Sequence, residues 1–469
     1  MSPRDIALAA ALEASARQIP LQDALSGLFA GSGLDRRDRA LAEELALGAL
    51  RRRLALDLVI GRASSRPVER MQPALAEALR QGAYQLLFLD RVPPHAAVNE
   101  TVELVKARVG RRPADFANAV LRAIARLISS RSSPRPDDEL APRALAARSG
   151  RFVILSEPIL DDPRRDLAGW LAGSYGYPAW MVRRWLRRHG PARTERILEW
   201  GNAAPALSIR LNRTRIALGG LGQEELARIF EGCRRFERGE VEGVWRVDPE
   251  LPPAELPGLA AGFFSIQDET QARPALLLGP AEGSEVLDLC AGLGGKTIQL
   301  AELVGASGRV FALDRDPAKL ALASEAARRL GLANVALVEG DVLAPPPELV
   351  REWQFVLIDA PCSNMGALDR RPEVRLRASE EALGRLVRTE LALLLAAMDR
   401  VRRGGSLVYS VCSFEEEETR GVVSSALGAR GEFRLVAESL VLPEPAGLDR
   451  CSSGRDGGYC ARLVRAAGS

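Results

Sequence analysis

Apolar residues recur at every third or fourth position through residues 1–130. ARQIPLQDALSGLFA, DRALAEELALGALRRRLALDLVI, MQPALAEALRQGAYQLLFLD and AAVNETVELVKARVG all keep that spacing, which lines one face of a helix with apolar side chains. Pro93 and Pro94 interrupt the run, and a new helix is expected to follow them. The pattern predicts an all-α domain over 1–130. Residues 131–144 are polar and proline-rich, and they read as a linker or, alternatively, an ordered surface loop. Over 145–265 the pattern is mixed. PAWMVRRWLRRHG predicts a helix with Trp180 and Trp185 on its buried side and Arg183, Arg184, Arg187 and Arg188 as a basic stripe. ALSIRLNRTR predicts an arginine-rich strand. Either basic element is a candidate phosphate contact or an ordinary solvated face. From 266 to 469 the short apolar runs EVLDLC, RVFALD, VALVEGD, FVLIDAP and SLVYSVCS alternate with helical stretches. That alternation predicts a doubly wound, mostly parallel α/β sheet of Rossmann type. The expected architecture is therefore multidomain: helical, then a small α/β region, then the α/β domain.

Composition narrows the class. At 469 residues the chain exceeds what one core supports, and 47% hydrophobic residues fit a soluble globular protein. No apolar run is long enough to span a bilayer and the opening residues carry no signal-peptide pattern, so a cytoplasmic protein is expected. Six cysteines without paired CxxC spacing, and only His95 and His189, argue against a disulfide framework or a metal site. The net charge of +3 conceals an asymmetry. Residues 1–150 carry 23 Lys+Arg against 17 Asp+Glu, residues 151–270 carry 17 of each, and residues 271–469 carry 24 against 27. A basic leading part suggests a docked polyanion. The basic residues are almost all arginine, the lysines being Lys106, Lys296 and Lys319. A lysine at 296, inside a Gly-rich loop, points to a local need for a compact ammonium group.

The candidate chemistry sits where the predicted strands end, the usual ligand-binding edge of an open α/β sheet. CAGLGGKT, Cys290 to Thr297, follows the first strand and opens a helix whose free N–H groups face the loop. Cys290, Ala291, Gly292, Leu293, Gly294, Gly295 and Lys296 are the candidate cofactor loop. Asp314 ends the next strand, where an acidic residue pairs with a ribose diol in nucleotide-binding α/β folds. Asp341 ends the third strand, in position for an adenine or its surroundings. A P-loop is the competing reading, since GKT is followed later by an apolar run ending in Asp359. The P-loop pattern needs glycine where Cys290 stands, and it leaves Asp314, Cys362 and Cys412 without roles. Two cysteines, Cys362 in DAPCS and Cys412 in YSVCS, each at a strand exit, suggest covalent chemistry with a second acid/base group. One such cysteine is commonly a core residue; two in matching contexts are not.

DAPCS and YSVCS resemble the paired motifs of RNA 5-methylcytosine methyltransferases of the Nol/Nop/Sun family. DRALAEELALGALRRR, LRQGAYQLLFLDRVPPHAAVNETVELVK and FANAVLRAIAR look like the NusB-like helical domain of its bacterial Sun/RsmB branch. FFSIQDETQA and DGGYCARLVR resemble the lead-in and closing strand of its catalytic domain. The resemblance implies S-adenosyl-L-methionine as cofactor, and methylation of cytosine C5 in 16S ribosomal RNA through a Cys–C6 adduct. It implies Cys412 as nucleophile, Cys362 assisting adduct breakdown, Asp359 contacting the base or the methionine part of the cofactor, and Lys296 placing the base or Asp359. Arg370, Arg371 and Arg375 are candidate backbone contacts, and Cys233, Cys451 and Cys460 are expected to be structural. The family loop usually reads CAAPGGKT, and Gly292-Leu293 loosens the turn that proline stiffens. Arg371-Pro372 and Leu376 stand where the family often has histidine-proline and tryptophan. A monomer is expected. Transfer RNA is the nearest alternative substrate, and a non-catalytic RNA-binding assembly factor is the alternative from another class.

Overall fold

A computed structural model describes residues 1–148, 150–216, 222–445 and 454–467. The chain forms two compact units, Met1–Ala204 with Leu368–Arg377, and Pro205–Ala367 with Ala378–Ser469. None of the helices among the described residues is long and apolar enough to cross a membrane.

The first unit opens with helices Pro3–Arg17, Leu21–Phe29, Arg36–Arg51, Arg53–Ser64, Pro73–Phe88, Pro94–Arg108 and Arg111–Leu127. Their starts follow from local chemistry. Asp5 N–H donates to Ser2 Oγ at 3.2 Å while Ser2 N–H donates to Asp5 Oδ2 at 3.1 Å, a reciprocal cap. Pro94 occupies a first-turn position where a missing N–H costs nothing. A Cβ on Gly48 would lie 2.1 Å from the Tyr84 ring, so the helices carrying them pack this closely only with glycine there.

The expected linker, 131–144, is loop and turn over 134–143, but both of its ends belong to strands. Ile128–Ser133 and Ala144–Ala146 flank Phe152–Leu155 in an antiparallel sheet, and Leu145, Val153 and Leu155 join the helical core. The polar ISSRSS run pairs through its backbone with the buried FVIL strand, a partnership its own side chains do not advertise. The helix Ala179–Asn202 bends at Gly190, whose φ of 73° precedes Pro191. Trp185 is buried as expected, Trp180 only partly. Arg183 and Arg187 are exposed, but Arg184 is buried because it shares the inward arc with Met181 and Trp185. The expected stripe is narrower than four arginines.

Arg375 is also not the surface contact expected. Its guanidinium is buried in the first unit, 3.9 Å from the centre of the Tyr177 ring. It donates to Arg51 O at 2.8 Å, Asn202 Oδ1 at 2.8 Å and Gly201 O at 2.6 Å. A planar, multi-donor cation suits such a set of carbonyl oxygens. Arg371 is exposed, near Glu373.

In the second unit Cys233–Arg238, Val244–Pro249, Leu207–Leu211 and Phe264–Ile266 lie in that order in an antiparallel sheet. Arg210, in the arginine-rich strand read as either a phosphate contact or a solvated face, is neither: it is buried and ion-paired, with Nη1 2.5 Å from Glu302 Oε2 and Nε donating to Gln267 Oε1 at 2.6 Å. The main sheet holds strands β1 (Glu285–Leu289), β2 (Arg309–Asp314), β3 (Val335–Glu339), β4 (Trp353–Asp359), β5 (Val401–Val411), β6 (Phe433–Val441) and β7 (Gly458–Arg465). Their spatial order is β3-β2-β1-β4-β5-β7-β6, with the first five parallel and β7 antiparallel to both neighbours. Alternation along the strands feeds two cores. Leu287, Leu313, Ile358 and Tyr409 pack on one face with Leu394 and Ala397, and Val286, Val310, Leu357 and Val408 pack on the other with Leu300 and Val304. The order reverses between β1 and β4, so a crevice opens at their carboxyl ends.

Candidate active site

The loop after β1 is shaped by backbone. Cys290 has φ 61°, Gly292 φ 57° and Gly294 φ 81°, and helix Gly295–Val304 follows at once. A Cβ on Gly294 would sit 2.7 Å from Ala323, so the loop needs glycine to pack there. Nothing lies within 4 Å of where a Cβ on Gly295 would be, which leaves the helix start open. Leu293 is exposed. Asp314 takes the Gly292 N–H at 2.7 Å and the Asp316 N–H at 2.9 Å. Asp341 is exposed, and its carboxylate accepts the Leu343 N–H of its own turn at 2.9 Å. Burial first, with Asp359 and Asp314 adding to it, pushes the Cys290 thiol up to about 12, so it is a neutral member of the loop.

Lys296 links this loop to β4. Its Nζ donates to Gln271 Oε1 at 2.6 Å and to Asp359 Oδ2 at 2.7 Å. Burial works against its charge, yet the Asp359 carboxylate more than offsets this and raises its pKa. Ser410 Oγ, on β5 opposite Asp359, donates to Asp359 Oδ1 at 2.6 Å. Behind them Thr297 Oγ1 donates to Asp288 Oδ2 at 2.6 Å. Burial, and secondarily Asp359, push Asp288 up to about 7. A P-loop lysine must be free for phosphates; here the ammonium is committed to a carboxylate, which removes that alternative's main group.

The turns after β4 and β5 bring Cys362 and Cys412 together, Sγ to Sγ 3.2 Å. Cys412 Sγ donates to Asn364 Oδ1 at 3.0 Å, and Asn364 sits at φ 60° with its amide donating to Cys362 O at 3.0 Å. Gly366 N–H closes the arrangement on Cys412 O at 3.0 Å. A Cβ at Gly366 would lie 2.1 Å from Gly457 O. The hydrogen bond to Cys412, then burial, hold Cys362 well above the ordinary thiol range.

Every expected site residue therefore lies at the carboxyl edge of β1 to β5. Cys362 and Cys412 touch each other, Lys296 touches Asp359, and Asp314 touches the loop; Asp341 touches none of the others. Cys460 is buried and Cys233 partly so; Cys451 lies outside the described residues. Among the described residues no three His, Cys, Asp or Glu side chains are grouped to hold a metal ion. Sequence reasoning missed Gln271, Asn364, Ser410 and Glu418. Asn364 and Ser410 each lie two residues from a cysteine, a nearness that flags them; Glu418 is one of four consecutive glutamates and carries no such signal.

The family model for "16S rRNA methyltransferase RsmB/F" matches residues 275–453. The NusB family model matches 1–126 and that for the RsmF/B-like ferredoxin-like domain 177–223. A probable ribosomal RNA small subunit methyltransferase B from Synechocystis is 30% identical over 401 residues, 85% of this chain and 82% of its own. Ribosomal RNA small subunit methyltransferase B from Salmonella typhi is 30% identical over 434 residues, 92% of this chain and 91% of its own. The solved structure of PH0851 is similar in fold, with a TM-score of 0.74, 22% identity and 99% of both chains covered. A methyltransferase homologue from Pyrococcus horikoshii matches with a TM-score of 0.54 and 24% identity, over 64% of this chain and 99% of its own.

Proposed function

The chain belongs to the RsmB/F family of S-adenosylmethionine-dependent 16S ribosomal RNA methyltransferases, and from that premise we propose that it methylates cytosine C5 through a transient bond from Cys412 to C6. The observation carrying this reading is the 3.2 Å approach of two thiols beside Asp359 at the switch point of the sheet.

The loop fits the cofactor on its own geometry. The open helix start at Gly295, the exposed loop at Leu293, and the Asp314 carboxylate at the end of β2 suit a nucleoside with a ribose diol. Gly292, Gly294, Asp314 and Asp341 would hold the nucleoside part, and Asp359 with Lys296 the part nearest the thiols. When bound, S-adenosylmethionine supplies a methyl group on a positively charged sulfur.

Cytosine C5 is otherwise too poor a nucleophile to take it. Addition of the Cys412 thiolate to C6 moves the C5=C6 electron pair onto C5, which becomes enamine-like. Asp359, held by the Ser410 hydroxyl and the Lys296 ammonium, would meet the exocyclic amine edge of the base. Once C5 bears the methyl group, its proton must leave; that electron pair re-forms C5=C6 and expels Cys412 as a thiolate. At rest the Cys412 S–H is on Asn364 and the Cys362 S–H faces the Cys412 sulfur. Cys412 loses its proton to solvent on attack, and during breakdown Cys362 takes the C5 proton while passing its own S–H proton to the departing Cys412 sulfur, which leaves both as thiols. A base in duplex must first swing out of its stack.

The test is a trap. Cys412→Ala is expected to abolish methylation. Cys362→Ala is expected to accumulate an RNA–protein adduct that survives a denaturing gel. An adduct from Cys412→Ala instead would reverse the two roles, and full activity in both variants would remove covalent catalysis.

A further inference from the structure

The two cysteine turns are not joined to each other only through sulfur. Glu418, fully buried, reaches both serines that follow the cysteines. Ser363 N–H donates to Glu418 Oε1 at 2.7 Å, Ser363 Oγ to Oε2 at 2.5 Å, and Ser413 Oγ to the same Oε2. Its backbone carbonyl takes the Tyr409 hydroxyl at 2.7 Å, from within β5. The residue begins no ordinary helix: Glu417–Gly421 is a π-turn, a distortion that places Glu418 inward while Glu416 stays exposed. We propose that Glu418 is a positioning residue that fixes the separation of Cys362 and Cys412 by bracing both of their turns with one carboxylate. This rests on the two-thiol reading of the site.

The bracing is strong because of what lies behind it. Glu390, also fully buried, is beside Glu418, and its Oε1 meets no donor among the described residues. Two carboxyls so placed hold a proton between them. Burial, then Glu418, push Glu390 up to about 10. Burial also raises Glu418, but its hydrogen bonds with Ser363, Ser413 and Glu390 pull the other way, so the shared proton rests on Glu390 and Glu418 accepts from the serines. A carboxylate with several donors costs far less to bury than a bare one. The serine hydroxyls are spoken for, which also keeps them from competing with the sulfurs for the base.

The test uses the full chain and two readouts, methyl transfer and capture of phenylarsine oxide. That reagent condenses with two adjacent thiols, releasing water and placing arsenic across both sulfurs with no change in their oxidation state. Peptide mapping reports whether Cys362 and Cys412 are the bridged pair. Wild-type protein is expected to bind one arsenical there. Glu418→Ala is expected to lower kcat on the order of 100-fold, the effect of an ångström-scale misplacement, to leave the KM for S-adenosylmethionine unchanged, and to weaken capture. Glu418→Gln keeps an acceptor for the Ser363 N–H and is expected to recover most of both. Undiminished capture by Glu418→Ala, or loss of cofactor binding in parallel with kcat, overturns the proposal. Should Glu418→Ala not fold, the paired Ser363→Ala and Ser413→Ala substitutions remove the braced hydroxyls and are read the same way. Capture requires no methyl transfer, so it reports on the thiol separation whichever cysteine is the nucleophile.

Discussion

Along one edge of the same sheet, the loop after β1 and the turns after β4 and β5 hold their groups by different means. The loop is set by backbone: three residues at positive φ within a five-residue stretch, an acid held by two main-chain N–H groups, and an apolar tip left in solvent. The thiol turns are set by side chains: Asn364, Ser363, Ser413 and Glu418 interlock around the two sulfurs. The difference follows from what each must receive. A nucleoside cofactor brings its own donors and acceptors, and an open frame of backbone groups meets them on arrival. Two sulfurs proposed to act on neighbouring ring atoms bring nothing to organise them, and here side chains supply the rigidity in advance. Lys296 stands between the two regimes, with its backbone in the loop and its charge against Asp359.

Among the substitutions that separate these two regions, removing that link has the largest expected effect. Lys296→Met leaves Asp359 with Ser410 as its remaining partner and puts an apolar end against Gln271. Loss of a preorganised charge at a reacting centre lowers turnover on the order of 100- to 1,000-fold. If Lys296 belongs to the thiol side, single-turnover methylation falls while cofactor affinity measured by calorimetry changes little. A loss confined to cofactor affinity would place the residue with the loop and redraw the comparison.

The loop itself is addressed by Asp314→Ala. This removes the acceptor for Gly292 N–H and Asp316 N–H and the carboxylate proposed to meet the ribose diol. A hydrogen bond to a charged partner contributes about 1.5–3 kcal/mol, so cofactor affinity is expected to fall about 10- to 100-fold. Arsenical capture by Cys362 and Cys412 is expected to be unchanged. Weakened capture would show that the two regions are not separately built.

The same contrast explains what the sequence made legible. Backbone-set features announce themselves: CAGLGGKT reads as a tight loop because glycines tolerate the required φ, and EVLDL, RVFALD and FVLIDAP read as strands because alternation and apolar runs are local properties. Both cysteines could be placed at strand exits for the same reason. Side-chain bracing is different. Glu418 is indistinguishable in sequence from Glu415, Glu416 and Glu417, and its inward turn depends on a π-turn and on Glu390 from a distant helix. Arg375 and Arg210 show the cost of reading charge as exposure, since each finds its carbonyl or carboxylate partners only after folding. The ISSRSS strand is obscured likewise, because its pairing with FVIL is made by main chain across an intervening loop.

The smallest effect concerns the proton in the carboxyl pair. Glu390 takes its proton up to about 10 in the folded protein, against an ordinary value of 4.5, with burial the main cause and Glu418 the next. Between those limits the folded chain binds more protons than the unfolded chain, so stability falls as pH rises across that window. The sign is opposite to that of a salt-bridged acid, whose contribution grows with pH. Glu390→Gln removes the titration and keeps a neutral donor facing Glu418. Its urea midpoint, followed across the same window, is expected to decline less steeply with pH than that of the wild type, with stability at neutral pH within about 1 kcal/mol of it. A slope equal to the wild type's would mean that Glu390 is ionised in the fold, and the brace beneath the two sulfurs would then carry two negative charges rather than one.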